Sequence, residues 1–324
     1  MNTETRDVYE ENISANGEVS KFLRDVLKGL ERKPKKLDSK YFYDAKGDKL
    51  FQHIMDCPEY YITRCEAEIF SILSEAIAAE LAASFEAFDL IELGAGDASK
   101  TVYLLQELLK ARADFKYFPV DISRSIIDYL QYELPNKVPG LDVEGLNGEY
   151  VEMLKEANRV SGRRKVVLFL GSNIGNMDAG EALNFLIEVR TNLNPGDKLL
   201  IGFDLKKHPA IVFSAYNDHS GYTKAFNLNL LERINRELGG NFELSRFDHY
   251  PTYDPITGAC KSYLVSNSKQ QVLIAGRRFM FEEGEVIVME LSQKYDLQEI
   301  ESLAKASGCS FSPRARTRPT DGSR

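Results

Sequence analysis

The sequence predicts an α/β fold: a doubly wound parallel sheet with a second, α+β domain formed by the N-terminal segment and an insertion. Three features lead there. The apolar run Asp89-Leu-Ile-Glu92-Leu enters Gly94-Ala-Gly96-Asp97 and then a helical pattern with Val102, Leu104, Leu105, Leu108 and Leu109. Strand and helix patterns alternate from Phe88 to Asp204, as in sheets wound by βαβ crossovers. After Asp204 this rhythm gives way to short β-like runs separated by Asn, Gly and Ser.

Each element has its own signal. Residues 19–34 have the periodicity of an amphipathic helix, and a segment rich in Tyr, Phe and charge extends to Arg64. A second helix is predicted over Glu66–Ser84, with apolar residues at Ile69, Ile72, Leu73, Ile77 and Leu81. Strand one is Leu90–Leu93, strand two is Tyr117–Val120 ending in Asp121, and a weaker third is Leu141–Gly145. Strand four, Lys165–Leu170, has the run of apolar residues of a strand covered on both faces. A helix near Ala179–Leu193 stops at Asn194-Pro-Gly-Asp197 and leads into strand five, Lys198–Phe203. Beyond it, Thr223–Leu238 forms a helix with Phe226, Leu230, Ile234 and Leu238 on one face and Gly239-Gly240 as its stop. Strands are then predicted around Phe242–Tyr250, Lys261–Ser266, Gln271–Ala275, Arg278–Phe281 and Val286–Ser292, making an antiparallel sheet. The last helix opens on Asp296-x-x-Glu299, a capping-box pattern, and closes at Gly308. The predicted domains are 65–204 with 293–311, and 18–64 with 205–292. Residues 312–324, polar and basic without periodicity, read as a disordered tail.

Composition bounds the function. The 324 residues hold 41 basic and 49 acidic side chains, a net charge of −8, which argues against a nucleic-acid partner. No apolar run approaches the roughly 20 residues needed to span a bilayer, and the polar N-terminus lacks a signal-peptide core. Cys57, Cys65, Cys260 and Cys309 lack CxxC spacing, as expected of reduced thiols in a cytoplasmic protein. The four histidines lack metal-ligand spacing, so no metal is expected.

The chemistry is expected at the carboxyl ends of the strands, where doubly wound sheets hold their ligands. Gly94, Gly96 and Lys100 follow strand one. A dinucleotide fingerprint would place a third glycine at Ser99. Its absence, with Glu92 two places before Gly94, favours S-adenosylmethionine (SAM) over NAD: SAM has no pyrophosphate to cradle, and its ribose and cationic end want carboxylates. Asp121 ends strand two, where it can accept ribose hydroxyls or merely cap a helix. Glu149-Tyr150 follows strand three, where side chains can flank an adenine, although Glu149 also reads as a plain surface carboxylate. Gly171-Ser-Asn-Ile-Gly-Asn176 follows strand four. The aromatic run Tyr41-Phe-Tyr43-Asp44, Phe51 and Pro58-Glu-Tyr60-Tyr61 reads as core or as the lining of a site for a cation.

Taken in order, these motifs resemble a known family. They are Tyr41-Phe-Tyr-Asp44, Gly47-x-x-Leu-Phe51, Pro58-Glu-Tyr-Tyr61-x-Thr-Arg64-x-Glu66, Glu92-Leu-Gly-x-Gly96 with Lys100-Thr101, and Phe169-Leu-Gly-Ser-Asn-Ile-Gly-Asn176. Pro195-Gly-Asp197, Ala215-Tyr-Asn-Asp218, Ala225-Phe-Asn227, Ile234-Asn-Arg-Glu-Leu238 and Glu290-x-Ser292 follow. Over about residues 18–311 the chain resembles the SAM-dependent histidine Nα-methyltransferases of ergothioneine biosynthesis. The resemblance implies a Rossmann-like class I methyltransferase domain plus a substrate domain, and three methyl transfers to the α-amine of L-histidine, giving hercynine. It implies that Gly94, Gly96, Lys100, Asp121, Glu149 and Tyr150 bind SAM. It assigns Asn176 and Tyr216 to the substrate carboxylate, Tyr60 to the α-amine as the catalytic hydrogen-bond partner, and Glu290 and Ser292 to the imidazole. Tyr43, Phe51 and Gly171 would line the pocket. The partner expected is a small amino acid, with no membrane and a monomeric enzyme. The family usually has Asp where Glu149 stands and Met where this chain has Ser262, and it continues past the final helix with two more strands, of which only Gly308–Phe311 has a counterpart here. The alternatives are an N-methyltransferase for another amino acid or an indole derivative, and a non-catalytic SAM-binding protein.

Overall fold

The computed structural model describes residues 20–312; the predicted disordered tail lies outside them, apart from Ser312. The chain divides into two compact units, residues 20–60 with Lys207–Ser292, and Tyr61–Lys206 with residues 293–312. Among the described residues the strands are, in chain order, β1 (Lys35–Lys36), β2 (Ala87–Leu93), β3 (Asp114–Asp121), β4 (Leu146–Asn147), β5 (Arg164–Phe169), β6 (Lys198–Ile201), β7 (Phe247–Tyr253), β8 (Ala259–Ser266), β9 (Gln270–Ile274), β10 (Arg277–Phe281) and β11 (Val286–Gln293).

The second unit is built on a sheet of order β4-β3-β2-β5-β6 in which neighbouring strands pair in parallel. Alternate residues of a strand point to opposite faces, so β2 feeds two cores. Leu90 packs with Leu104, Leu105 and Leu108 on one side, and Ile91 and Leu93 pack with Phe118, Val167 and Phe169 on the other. The strand order reverses between β2 and β5, which opens the crevice at a topological switch point. Lys165, read from the sequence as part of an apolar strand, is 2% exposed. Its ammonium donates to Asp89 Oδ2 at 2.8 Å and to the carbonyls of Ser161 and Arg163, so the buried charge is paired at the end of the sheet away from the glycine turn. The four residues of β6 are all half-buried, in keeping with an edge position.

In the first unit, a four-stranded sheet has the order β1-β11-β8-β7, and β9 and β10 form a separate antiparallel hairpin. The expectation of one antiparallel sheet is therefore corrected. β7 and β8 are antiparallel, but β1, contributed by the N-terminal segment, runs parallel to β11. A two-residue strand carries no periodicity from which it could be read. The helix Tyr222–Leu238 buries Phe226, Leu230, Ile234 and Leu238 and ends on Gly239 with φ +60°, the left-handed stop that glycine adopts without steric cost.

Other boundaries also shift. The third strand is Leu146–Asn147, preceded by a lone bridge from Val143 to Tyr117, instead of Leu141–Gly145. The first helix is Lys21–Leu30, capped by the Ser20 hydroxyl, and stops short of residue 34. The second long helix begins at Tyr61, five residues before the sequence signal. β7 begins at Phe247 instead of Phe242, because a short 3-10 turn precedes it.

Candidate functional site

At the end of β2 the chain turns through Gly94 (φ +76°), Gly96 (φ +54°) and Ala98 (φ +54°). The Gly94 and Ala95 N–H groups donate to the Val120 carbonyl at 2.8 and 3.1 Å, which holds the turn against the exit of β3. A Cβ at Gly94 would lie 2.7 Å from Asn173 Nδ2 and 3.0 Å from Tyr150 Oη, so only glycine fits; a Cβ at Gly96 would meet nothing within 4 Å. Asp121 closes the same turn. Its Oδ2 accepts the Gly96 N–H at 3.1 Å and its Oδ1 accepts the Ser123 N–H at 2.9 Å. Asp121 is not the helix cap; Ser123 caps the helix Arg124–Tyr132. Glu149 begins the helix Tyr150–Val160. The Tyr150 ring lies edge-on to Phe169 at 5.3 Å and to Phe185 at 6.1 Å, and burial raises its phenol well above the usual range. A glycine turn open at Gly96, with a carboxylate and an aromatic ring beside it, fits a purine nucleoside carrying a cationic side chain.

Lys100 stands one residue before the helix Thr101–Lys110, with its ammonium on the Glu66 carboxylate. Glu92, the acidic residue of the motif, does not face water. It is 2% exposed, and its two oxygens accept the hydroxyls of Thr101 at 2.6 Å and Tyr117 at 2.5 Å. Burial pushes its carboxyl up to about 7 against the pull of those hydroxyls and of Lys100. A carboxyl raised in this way stabilises the fold fully below its unfolded value near 4.5, and the stabilisation is lost as pH rises through 7. The difference amounts to about 3 kcal/mol. Thermal melts of Glu92→Gln and wild type between about pH 5 and about pH 8 are expected to show a much shallower decline in the variant. Parallel declines would place the proton elsewhere.

The loop after β5 is fixed at several points. The Gly171 N–H (φ +72°) donates to Glu66 Oε1 at 2.7 Å, and Ser172 holds a left-handed backbone at φ +57°. The Ser172 hydroxyl accepts the Asp204 N–H at 3.1 Å. Asp204 Oδ2 takes the Tyr61 hydroxyl at 2.6 Å and the Lys294 ammonium at 2.8 Å. Lys294 is fully buried. A Cβ on Gly175 would lie 2.8 Å from the Gln293 carbonyl, so the 3-10 turn Asn173–Asn176 is seated directly on the backbone. Asn176, at its end, is exposed.

The first unit gathers most of the residues assigned to the amino acid. Tyr43, Phe51 and Phe226 form a ring cluster with centroids 5.5–5.7 Å apart; Tyr60 adjoins Phe51 at 6.3 Å and Tyr216 at 6.2 Å. In the sequence Phe226 lies on a helix face and in the Ala225-Phe-Asn227 motif, without an assigned place in the pocket. Tyr60, Tyr216 and Ser292 are buried, and Glu290 is half-buried. The hydroxyls of Tyr216 and Ser292 lie 2.6 Å apart, which joins two residues assigned to opposite ends of the substrate. Asp218 is held below the usual carboxylate range: burial raises it, but hydrogen bonds from Thr223 and from the Tyr222 N–H outweigh that. Ser262 is 1% exposed and its hydroxyl has no hydrogen-bond partner among the described residues. Gly171 and Asn176 belong to the second unit. Among the described residues no group of His, Cys, Asp and Glu has the makings of a metal centre.

Two residues of this geometry carry no role in the sequence reading. Glu66 lies in the Pro58–Glu66 motif without an assigned partner, and Lys294 follows β11 without any motif.

Comparison with known proteins gives a consistent result. Residues 22–316 match the family described as histidine-specific methyltransferase, SAM-dependent. The chain is 35% identical over 287 residues to a histidine N-alpha-methyltransferase of Mycobacterium tuberculosis, covering 88% of each chain. It is 35% identical over 285 residues to the protein of the same name from Mycolicibacterium smegmatis, covering 87% of each. It is 30% identical over 269 residues to ergothioneine biosynthesis protein 1 of Schizosaccharomyces pombe, covering 81% of this chain and 35% of that protein.

Proposed function

The chain belongs to the SAM-dependent, histidine-specific methyltransferases, and from that premise we propose that it transfers methyl groups from SAM to the α-amine of L-histidine, three times in succession, giving hercynine in the first step of ergothioneine biosynthesis. The observation that carries this reading is the family match across residues 22–316. Bound SAM supplies an electrophilic methyl group on a sulfonium. Asp121 takes the ribose hydroxyls, Glu149 and Tyr150 flank the adenine, Gly94 and Gly96 let the backbone approach, and Lys100 meets the methionine carboxylate. Asn176 and Tyr216 hold the substrate carboxylate, and Tyr43 and Phe51 line the pocket with Gly171. The amine must be neutral to attack, so Tyr60 accepts a hydrogen bond from it and helps remove its proton. Direct displacement otherwise asks the protein only for orientation and exclusion of water.

The imidazole is read by Glu290 and Ser292. A neutral ring has one donor and one acceptor nitrogen; the carboxylate accepts from the N–H and the hydroxyl donates to the other nitrogen. Both residues lie in β11, and positions i and i+2 of a regular strand share a face. Polar groups built to pair a ring are left unpaired by an analogue that lacks its nitrogens, so such analogues are rejected. Glu290→Ala is expected to raise the KM for histidine at least ~10-fold, a loss of roughly 1.5–3 kcal/mol, with SAM affinity unchanged. Unaltered histidine kinetics would remove Glu290 from the reading pair. Mass spectrometry after incubation with SAM and a mixture of the twenty amino acids tests the whole assignment; methylation of an amino acid other than histidine would overturn it.

We also place the enzyme in the cytoplasm as a monomer acting on a small molecule. Among the described residues no two cysteines are joined in a disulfide, which fits a reducing compartment, and the net charge of −8 does not suit a nucleic-acid partner. No helix among the described residues is long and apolar enough to cross a membrane.

A further inference from the structure

We infer that Glu66 is a positioning residue that couples occupancy of the SAM site to binding of the amino acid. Its two carboxylate oxygens serve two different parts of the site. Oε1 accepts the Gly171 N–H at 2.7 Å, where the chain leaves β5, and Oε2 takes the Lys100 ammonium. The side chain is 10% exposed, and the fold makes room for it. A Cβ on Gly202, just past β6, would lie 2.5 Å from Oε1, so any larger residue there would displace the carboxylate. Glu66 thus joins the lysine after the glycine turn to the first residue of the Gly171–Asn176 loop. The inference rests on the reading that Lys100 meets SAM and that this loop meets the amino acid.

An ammonium has three N–H donors. One engages Glu66, which leaves donors for the carboxylate of SAM. In a partly buried site with little water to screen it, that second anion fixes the position of Lys100. Fixing Lys100 fixes the Glu66 carboxylate, and with it the Gly171 N–H at the root of the loop. A loop ordered in advance by one ligand costs the second ligand less to bind, which is positive coupling. Coupling is reciprocal, so histidine must tighten the cofactor by the same factor.

The test is calorimetry of L-histidine binding to the full-length protein, with and without saturating S-adenosylhomocysteine (SAH), in wild type, Glu66→Gln, Lys100→Met and the double variant. Glu66→Gln keeps an oxygen for the Gly171 N–H but turns an amide donor toward Lys100, cutting one link and sparing the other. Wild type is expected to bind histidine at least ~5-fold more tightly when SAH is present, at the lower end of typical coupling. Each single variant should bring that ratio below about twofold, and the double variant should lower it no further, because both changes break the same link. No coupling in wild type, or a ratio retained in both single variants, would overturn the proposal. Lys100→Met reports separately on its premise: unchanged SAH affinity would remove Lys100 from the cofactor site, whereas weakened SAH with coupling intact would refute only the role of Glu66. Should Glu66→Gln fail to fold, wild type and Lys100→Met decide the matter alone.

Discussion

Replacing Lys294 with Met is expected to lower the melting temperature by about 6–20 °C and to weaken histidine binding along with it. The reason is the charge left behind. Lys294 is fully buried and its ammonium lies 2.8 Å from Asp204 Oδ2. Removing one partner of a buried ion pair strands the other in low dielectric, at a typical cost of about 3–5 kcal/mol. That is a large fraction of an ordinary domain stability of about 5–15 kcal/mol. The effect reaches the site because the Asp204 N–H is held by the Ser172 hydroxyl, and Ser172 lies in the loop that ends at Asn176. The double variant Lys294→Met with Asp204→Asn provides the check. The asparagine oxygen can still accept the Tyr61 hydroxyl, and no charge remains buried there. It should recover at least half of the lost melting temperature in a thermal scan. If the double variant is as unstable as the single one, the loss arises from packing around the lysine stem and not from the stranded carboxylate.

Asp121→Ala is expected to weaken SAM about 10- to 150-fold by calorimetry, the equivalent of roughly 1.5–3 kcal/mol in charge-assisted hydrogen bonds. Two causes combine. The carboxylate at the end of β3 is the ribose anchor in the proposed site, and in the protein itself it accepts the Gly96 N–H at 3.1 Å and the Ser123 N–H at 2.9 Å. Alanine therefore removes a ligand contact and also loosens the glycine turn. Asp121→Asn separates the causes: its single oxygen can keep one backbone contact, but the charge is gone. It should fall between wild type and alanine. Unchanged SAM affinity in the alanine variant would remove Asp121 from the cofactor site.

Much of the fold was legible because its signals are local. The glycine turn after β2, the capping box at Asp296 and the glycine stop at Gly239 are each written within a few residues, where backbone geometry alone selects the residue type. The apolar run of β5 announced a strand covered on both faces. The five-stranded parallel sheet follows from the alternation of strand and helix patterns, and its end from the change of rhythm after Asp204. The same local chemistry pointed to Asp121 and the two-glycine turn, and to SAM over NAD.

What the tertiary structure alone decided is which polar groups are buried and what each one meets. β1 has two residues, and its place beside β11 depends on a pairing between Lys35 and Ile287. Lys165 reads in the sequence as part of an apolar strand, and only Asp89, 76 residues earlier, accounts for its burial. Glu66 meets Lys100 and Gly171, 34 and 105 residues away; Tyr61 and Lys294 converge on Asp204 from opposite ends of the sequence. Periodicity tells which side of an element turns from water, because burial of apolar surface acts along each segment by itself. It cannot name the partner of a buried charge, because that partner is chosen by proximity in space, and proximity exists only once the chain has folded.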